Sequence, residues 1–79
     1  YPTLLVFHDD RPAMIAEIAE ILGAAGVNIG CMEVDRTSRH GSALTVLELD
    51  QRPGPDEIGR IAGLRGVGRV RMVPPAGKA

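Results

Sequence analysis

The segment TLLVFHDDRPAMIAEIAEILGAAG, residues 3–26, changes its apolar period in the middle, and this change decides the fold. Residues 3–8 are apolar and partly β-branched, and the polar turn at 9–12 follows too soon for them to form a helix. From Met14 onward apolar residues recur at helical spacing, which predicts an amphipathic helix with Gly26 as its C-terminal stop. The sequence therefore predicts a strand that is followed closely by a helix.

The rest of the chain shows the same two periods. It predicts, in order, a second strand over 27–37, a hairpin turn at 37–41, a third strand over 43–49, a second helix that begins near Pro55 and is closed by Gly66, and a fourth strand over 67–73. The second strand switches the parity of its apolar residues near Gly30, which predicts a β-bulge there. The buried stripe of the second helix is predicted to be Ile58, Ile61, Ala62 and Leu64.

The element order βαββαβ with right-handed crossovers is typical of the ferredoxin-like sandwich, an α+β fold with two helices on one face of a four-stranded antiparallel sheet. We expect one domain over residues 1–73 and a flexible C-terminal tail over 74–79. The first and third strands are apolar on both sides, although the helices cover only one face of the sheet. We therefore expect a second copy, or another domain of a parent protein, to cover the open face or to extend the sheet at an edge.

Charge and composition argue against several classes of partner. Nine Lys plus Arg nearly cancel ten Asp plus Glu, and no run of five like charges occurs, so neither nucleic acid nor a membrane surface is expected to bind. The single cysteine, Cys31, cannot form an internal disulfide or a cysteine-rich metal site, which favours a reducing, cytoplasmic setting. The chain opens with Tyr1-Pro2 in place of an initiator Met, which suggests a piece of a longer protein.

The turn between the first strand and the first helix is the candidate ligand site. Free N–H groups at a helix start attract a carboxylate, and the neighbouring His8 and Asp10 offer partners for an ammonium or hydroxyl group. The alternative interpretation is that Asp10 only caps the helix and that His8 ends the strand in solvent. On position alone, capping is the more common role of such an Asp.

The same residues carry a resemblance to a known family. The chain resembles the ACT domain from Tyr1 through Val73, in the residues YPTLLVFH at 1–8, DRPAMIAEI at 10–18, Leu22, GVNI at 26–29, Met32 and Arg36. It is most similar to the C-terminal ACT domains of bacterial iron–sulfur L-serine dehydratases, and next to those of D-3-phosphoglycerate dehydrogenases. The resemblance implies a regulatory domain without catalytic residues that senses a small amino acid, serine first, where two copies meet. Any [4Fe–4S] cluster is then expected in the catalytic part of a parent enzyme, and no cofactor in this domain.

The resemblance also implies which residues bind the ligand. His8 and Asp10 match the polar loop ligands of the family, and Asn28 matches an asparagine that reaches across from the other copy. Backbone N–H groups near Ala13 and Met14 match the place of the ligand carboxylate. The predicted ligand-binding set is His8, Asp10, Arg11, Ala13, Met14, Asn28 and Ile29.

Two positions depart from the family pattern. Ala13 stands where the family usually has Gly after Arg-Pro, which narrows the approach of a ligand to the backbone. Asp10 stands where serine-binding relatives often have Asn, and an ionised carboxylate prefers the ammonium end of a ligand because it cannot donate a hydrogen bond.

Two other interpretations are weaker, and a third stays open. An RNA-recognition module has the same element order, but it needs aromatic residues on its central strands, and the third strand has none. Ser38 and Ser42 flank His40 in the hairpin turn, but a mobile turn supplies neither an oriented base nor an oxyanion hole, so we interpret them as solvated turn residues. The third alternative is an assembly domain that dimerises without a small ligand.

Overall fold

The computed structural model describes residues 1–36 and 41–73 of the chain. The elements are β1 (Thr3–Asp9), α1 (Met14–Ala24), β2 (Ile29–Arg36), β3 (Ser42–Leu49), α2 (Pro55–Ala62) and β4 (Val67–Val73). The predicted order βαββαβ is confirmed. Residues 37–40 of the predicted hairpin turn, which include Ser38 and His40, and the predicted tail at 74–79 lie outside the described residues.

The four strands form one antiparallel sheet in the order β2-β3-β1-β4. The two central strands, β3 and β1, are therefore the ones that the apolar pattern marks most strongly. Since β1 and β2 are both antiparallel to β3, they run in the same direction, and their C-terminal ends lie at the same end of the sheet. This arrangement confirms the ferredoxin-like class.

The core lies between one face of the sheet and the two helices. Alternate residues of β1 and β3 are buried, because successive side chains of a strand point to opposite faces. The residues that form the core cluster are Leu4, Val6, Met14, Ile18, Leu22, Val27, Leu47, Leu49 and Ile61. On the opposite face of the sheet, the apolar residues of β1 and β3 stay half-buried.

Helix α1 ends where the sequence predicts it. The backbone N–H of Val27 donates to the carbonyl of Leu22 at 2.9 Å, and that of Gly26 donates to Gly23 at 3.0 Å. This pair of bonds is the Schellman motif, which needs a left-handed residue after the helix cap. Gly26 supplies it with φ of 77°.

The predicted end of α2 is wrong. The helix ends at Ala62 and is capped by Gly63, and Ala62 is exposed rather than part of the buried stripe. The reason is that the chain turns at once toward β4: the N–H of Leu64 donates to Ile61 and that of Val67 donates to Leu64. Gly66 lies in the turn directly before the last strand instead of closing the helix, and its φ is 91°.

The irregularity of β2 is confirmed. The pairing of β2 with β3 shifts register between Ile29 and Cys31, which places the extra residue at Gly30. The strand begins at Ile29 rather than at Val27, because Val27 is engaged in the end of α1.

Neither described helix is long and apolar enough to cross a membrane. Among residues 1–36 and 41–73, no group of three or more His, Cys, Asp and Glu side chains could hold a metal ion.

Candidate functional site

The loop between β1 and α1 is anchored to the starts of both strands that flank β1. The backbone N–H of Asp9 donates to the carbonyl of Gly66 at 2.8 Å, and the N–H of Asp10 donates to Gly41 at 2.8 Å. These two bonds continue the sheet by one residue beyond β1. The loop therefore leaves the sheet at a defined place, close to the beginning of β3 and of β4.

Arg11 connects this loop to α1 and to the segment before β4. Its Nε donates to the carbonyl of Arg65 at 2.9 Å, and its guanidinium forms an ion pair with Glu17 at 2.7 Å. The hydrogen bond from Arg11 lowers the pKa of Glu17, and the same bond raises the pKa of Arg11. With these partners Arg11 holds the loop in shape.

Asp10 does not cap α1. Its carboxylate accepts a hydrogen bond from the guanidinium of Arg36, the last residue of β2, at 3.0 Å. Helix α1 has Ala13 at its cap position and no side-chain cap hydrogen bond among the described residues. The capping interpretation of Asp10 is therefore wrong, and the first turn of α1 keeps N–H groups that its own backbone cannot satisfy.

His8 is buried and faces the helices rather than solvent, with 6% of its surface exposed. Its Nδ1 lies 2.8 Å from the carbonyl oxygen of Asp9, and its Nε2 lies 2.6 Å from the hydroxyl of Thr45. A carbonyl oxygen can only accept, so Nδ1 carries a proton, and in the neutral ring the hydroxyl of Thr45 therefore donates to Nε2. Both ring nitrogens thus form hydrogen bonds inside the protein. Through them His8 connects the start of the loop at Asp9 to Thr45 of β3.

Ala13 adopts the left-handed conformation, with φ of 69° and ψ of −4°. An L-residue with a Cβ is disfavoured there by about 1–2 kcal/mol, whereas Gly adopts it freely. This geometry explains why the family pattern has Gly at the position that Ala13 occupies.

We expect Ala13→Gly to stabilise the domain by about 1 kcal/mol, because the relief of strain exceeds the added entropy of the unfolded chain. Urea unfolding followed by circular dichroism measures the change. The matched control is Ala16→Gly inside α1, which should destabilise by about 1 kcal/mol. Destabilisation by both substitutions would contradict the left-handed conformation of Ala13.

Met14 belongs to the core, and only 1% of the surface of the whole residue is exposed. The backbone N–H of Met14 lies 3.4 Å from the carbonyl of Arg11, which is a long hydrogen bond. The first turn of α1 and the carboxylate of Asp10 together therefore place donors and an acidic acceptor on one short segment.

Asn28 and Ile29 lie at the other end of the sheet. Asn28 precedes β2, its Nδ2 donates to the carboxylate of Asp50 at 2.7 Å, and its carbonyl accepts from the N–H of Asp50. Since β1 and β2 run in parallel directions, about seven residues of strand, or roughly 20 Å, separate this end from the loop. One chain alone does not bring all of the predicted site residues together.

A depression of about 450 Å³ lies beside the loop, at the end of the sheet. It is lined by Phe7, His8, Asp9, Ser42, Ala43, Gly66, Val67 and Gly68. Of the predicted site residues only His8 belongs to this lining. The sequence pattern did not predict segment 66–68 as part of the site, because this segment meets β1 only through long-range strand pairing. The available signal was the two glycines close together, which mark a place where backbones approach.

Comparison with known proteins was made for sequence and for structure. The chain is 33% identical over 58 residues to D-3-phosphoglycerate dehydrogenase 2, chloroplastic, of Arabidopsis thaliana, a match that covers 73% of this chain and 9% of that protein. It is 39% identical over 51 residues to the probable L-serine dehydratase, beta chain, of Bacillus subtilis, covering 65% of this chain and 23% of that protein. The chain thus spans less than a quarter of the length of either relative. No family model matches the sequence.

The structural comparison concerns the fold. The crystal structure of the ACT domain from GTP pyrophosphokinase of Chlorobium tepidum superimposes with a TM-score of 0.70 at 14% identity, covering 91% of this chain and 95% of that one. The C-terminal domain of the MgtC protein from Mycobacterium tuberculosis superimposes with a TM-score of 0.68 at 13% identity, over 91% and 83% of the two chains. At such low identity these matches establish the arrangement of strands and helices.

Proposed function

Because this chain is an ACT domain, a regulatory fold related in sequence to enzymes of amino-acid metabolism, we propose that it senses a small amino acid, L-serine first, where two copies meet. The parent protein is proposed to be an amino-acid-metabolism enzyme such as an L-serine dehydratase, in a cytoplasmic setting. The chain contains one cysteine, so we place any [4Fe–4S] cluster of such a parent in its catalytic part.

The observation that carries the proposal is the pairing of opposite polarities at the β1–α1 loop. Among residues 1–36 and 41–73 no side chain caps helix α1, and the carboxylate of Asp10 lies in the same loop. The amides of the first turn attract the α-carboxylate of an amino acid. Asp10 offers oxygen acceptors to its ammonium group, because a carboxylate has about four lone-pair sites and can accept from several donors at once.

The edge strand β2 indicates how a second copy would complete the site. Met32 and Val34 are 42% and 45% exposed, although they pair with the buried Leu47 and Thr45 and so point to the helical side of the sheet. Exposed apolar residues on a free edge are typical of a strand that pairs with another chain. An antiparallel pairing of two β2 strands would cover them.

Such a pairing also has the geometry that the ligand site needs. In an antiparallel pair the start of one strand lies beside the end of the other. The partner's Asn28 would therefore lie near Arg36, which is bonded to Asp10. The ligand would then contact the loop of one copy and an amide side chain of the other, and its binding would favour this arrangement of copies over others.

We expect isothermal titration of the chain with L-serine to give saturable heat, and serine to raise the melting temperature. Asn28→Ala should weaken binding at least about tenfold, since one hydrogen bond to the ligand is lost. The matched control is Asp50→Ala, which breaks the bond to Asn28 within the chain but keeps the amide, and it should leave affinity within about threefold of the unmodified chain.

Other amino acids of similar size are titrated in parallel, so that the ligand can be identified if serine binds only weakly. No heat with any amino acid, together with an unchanged melting temperature, would overturn the sensor. A dimer that persists under those conditions would favour the ligand-free assembly domain.

A further inference from the structure

Two neighbouring rows of side chains share one charge pattern on the open face of the sheet, the face that the helices do not cover. Directly opposed residues of neighbouring strands share a face, and the observed register therefore sets the order across the sheet. The first row is Asp35, Leu44, Phe7 and Arg69, and the second row is Glu33, Val46, Leu5 and Arg71. Both rows run from an acidic residue on β2, through two apolar residues on β3 and β1, to an arginine on β4.

These two rows therefore form an apolar stripe between an acidic edge and a basic edge. The four apolar residues are half-buried, and the four charged residues at the edges are exposed. The two ion pairs found among residues 1–36 and 41–73, Arg11–Glu17 and Arg36–Asp10, involve none of these charges. The opposite charges lie on the two outermost strands of the sheet, so they are too far apart to neutralise one another.

We propose that the open face binds the open face of a second copy, with the two-fold axis parallel to the strands. Rotation about that axis turns the face over and exchanges its left and right edges. The acidic edge of each copy then lies opposite the basic edge of the other, and the two apolar stripes meet in the middle. Sheets that pack in this aligned manner lie about 10 Å apart and bury both inner faces.

The charge pattern selects this occupant and this axis. A nucleic acid or an anionic membrane would meet Glu33 and Asp35 as well as the arginines, so half of the face would repel it. A two-fold axis perpendicular to the strands would place acidic edge on acidic edge and basic edge on basic edge. The open face is therefore complementary in charge to a second copy of itself only when the two-fold axis is parallel to the strands.

Arg69 is already oriented for such a contact. Its guanidinium lies over the ring of Phe7, 4.9 Å from the centroid, which holds the side chain against the apolar stripe. The N–H groups of a guanidinium lie in its plane, so a stacked arginine can still donate two parallel bonds to a carboxylate. Stacking thus reduces the entropy lost when a partner carboxylate binds.

The face contact is distinct from the ligand-dependent pairing at β2. It uses side chains of the open face, whereas the proposed ligand site uses the β1–α1 loop and the free backbone of the β2 edge. The two contacts have different axes, and a chain that uses both must build an assembly larger than a dimer. Size measurements with and without serine therefore separate the two proposals.

The test is charge reversal followed by sedimentation equilibrium at micromolar to high-micromolar concentration, without ligand. Arg69→Glu with Arg71→Glu makes both edges acidic, and Glu33→Arg with Asp35→Arg makes both edges basic. Each double variant should dimerise at least about tenfold more weakly than the unmodified chain, because all cross-face pairs become repulsive. An equimolar mixture of the two should form a one-to-one complex, and the variant with all four reversals should recover self-association.

The matched control is Arg52→Glu with Arg60→Glu, which changes the net charge equally at exposed positions away from the open face. This control should leave the dissociation constant of the dimer within about threefold of that of the unmodified chain. Circular dichroism should show that all variants fold. A monomeric unmodified chain at high concentration, or equal self-association of the reversed variants, would overturn the face contact.

Addition of serine distinguishes the two contacts. With serine, the unmodified chain should form an assembly larger than a dimer, whereas the variant Arg69→Glu with Arg71→Glu should form a dimer only. A serine-dependent dimer in that variant supports the ligand site even if the face contact fails.

Discussion

Replacement of Gly66 by Ala is expected to lower the free energy of unfolding by about 2–4 kcal/mol, which is a large share of the stability of a small domain. Two costs add. The backbone φ of 91° is strained for any residue with a Cβ, and the new Cβ would lie 3.2 Å from the end of Met14 and 3.3 Å from Nε of Arg11. Neither neighbour moves freely, because Met14 is in the core and Nε of Arg11 is bonded to Arg65.

The effect should extend to the candidate site. The carbonyl of Gly66 accepts the N–H of Asp9, so a shift of the backbone at 66 also loosens the start of the β1–α1 loop. If the loop binds an amino acid, Gly66→Ala should therefore weaken binding in any fraction that remains folded. High concentrations of the ligand should in turn recover part of the lost stability.

Urea unfolding measures this prediction, and Gly23→Ala is its matched control. Gly23 lies inside α1, and a Cβ built there meets nothing within 4 Å. The control should stabilise the domain by about 1 kcal/mol, because Ala has the higher helix propensity. Equal midpoints for Gly66→Ala and the unmodified chain would show that residue 66 is not held in the left-handed region.

The order of the elements could be predicted because each depends on neighbours in sequence. The alternating and helical periods of residues 3–26 reveal a strand and a helix without knowledge of the rest of the chain. The bulge at Gly30 was visible for the same reason, since it changes the parity of apolar residues within one strand. The end of α2 was missed because both Gly63 and Gly66 are plausible stops, and the choice between them depends on the path to β4.

The candidate loop could be located from the sequence, but the roles of its residues could not. Arg11 binds the carbonyl of a residue 54 positions away, and His8 binds a hydroxyl 37 positions away. Such partners follow from strand register and burial, which a local pattern does not contain. The sequence shows a histidine near a helix start, whereas the register places its ring on the buried face of β1 beside Thr45.

Replacement of Thr45 by Val is expected to destabilise the domain by about 1–3 kcal/mol. Thr45 is fully buried, and its hydroxyl donates to Nε2 of His8 at 2.6 Å. Valine has nearly the same shape as threonine but no hydroxyl. The packing around residue 45 is therefore kept, whereas the lone pair of Nε2 loses its hydrogen-bond partner in the core. The loss is therefore that of a desolvated acceptor rather than that of packing.

A double-mutant cycle with His8→Leu separates this account from a simple loss of shape. The single variants should each cost stability, and the double variant His8→Leu with Thr45→Val should cost less than their sum by about 1 kcal/mol or more, because both buried polar partners are then gone. Strictly additive costs would contradict the buried hydrogen bond. Nitrogen-15 spectra of the unmodified chain give a second measurement: the neutral ring should carry its proton on Nδ1, since the carbonyl of Asp9 can only accept. A neutral ring protonated on Nε2 would donate to Thr45 rather than accept from it, and it would leave no proton on Nδ1 for the carbonyl of Asp9. That result would contradict the role of His8 in holding the loop.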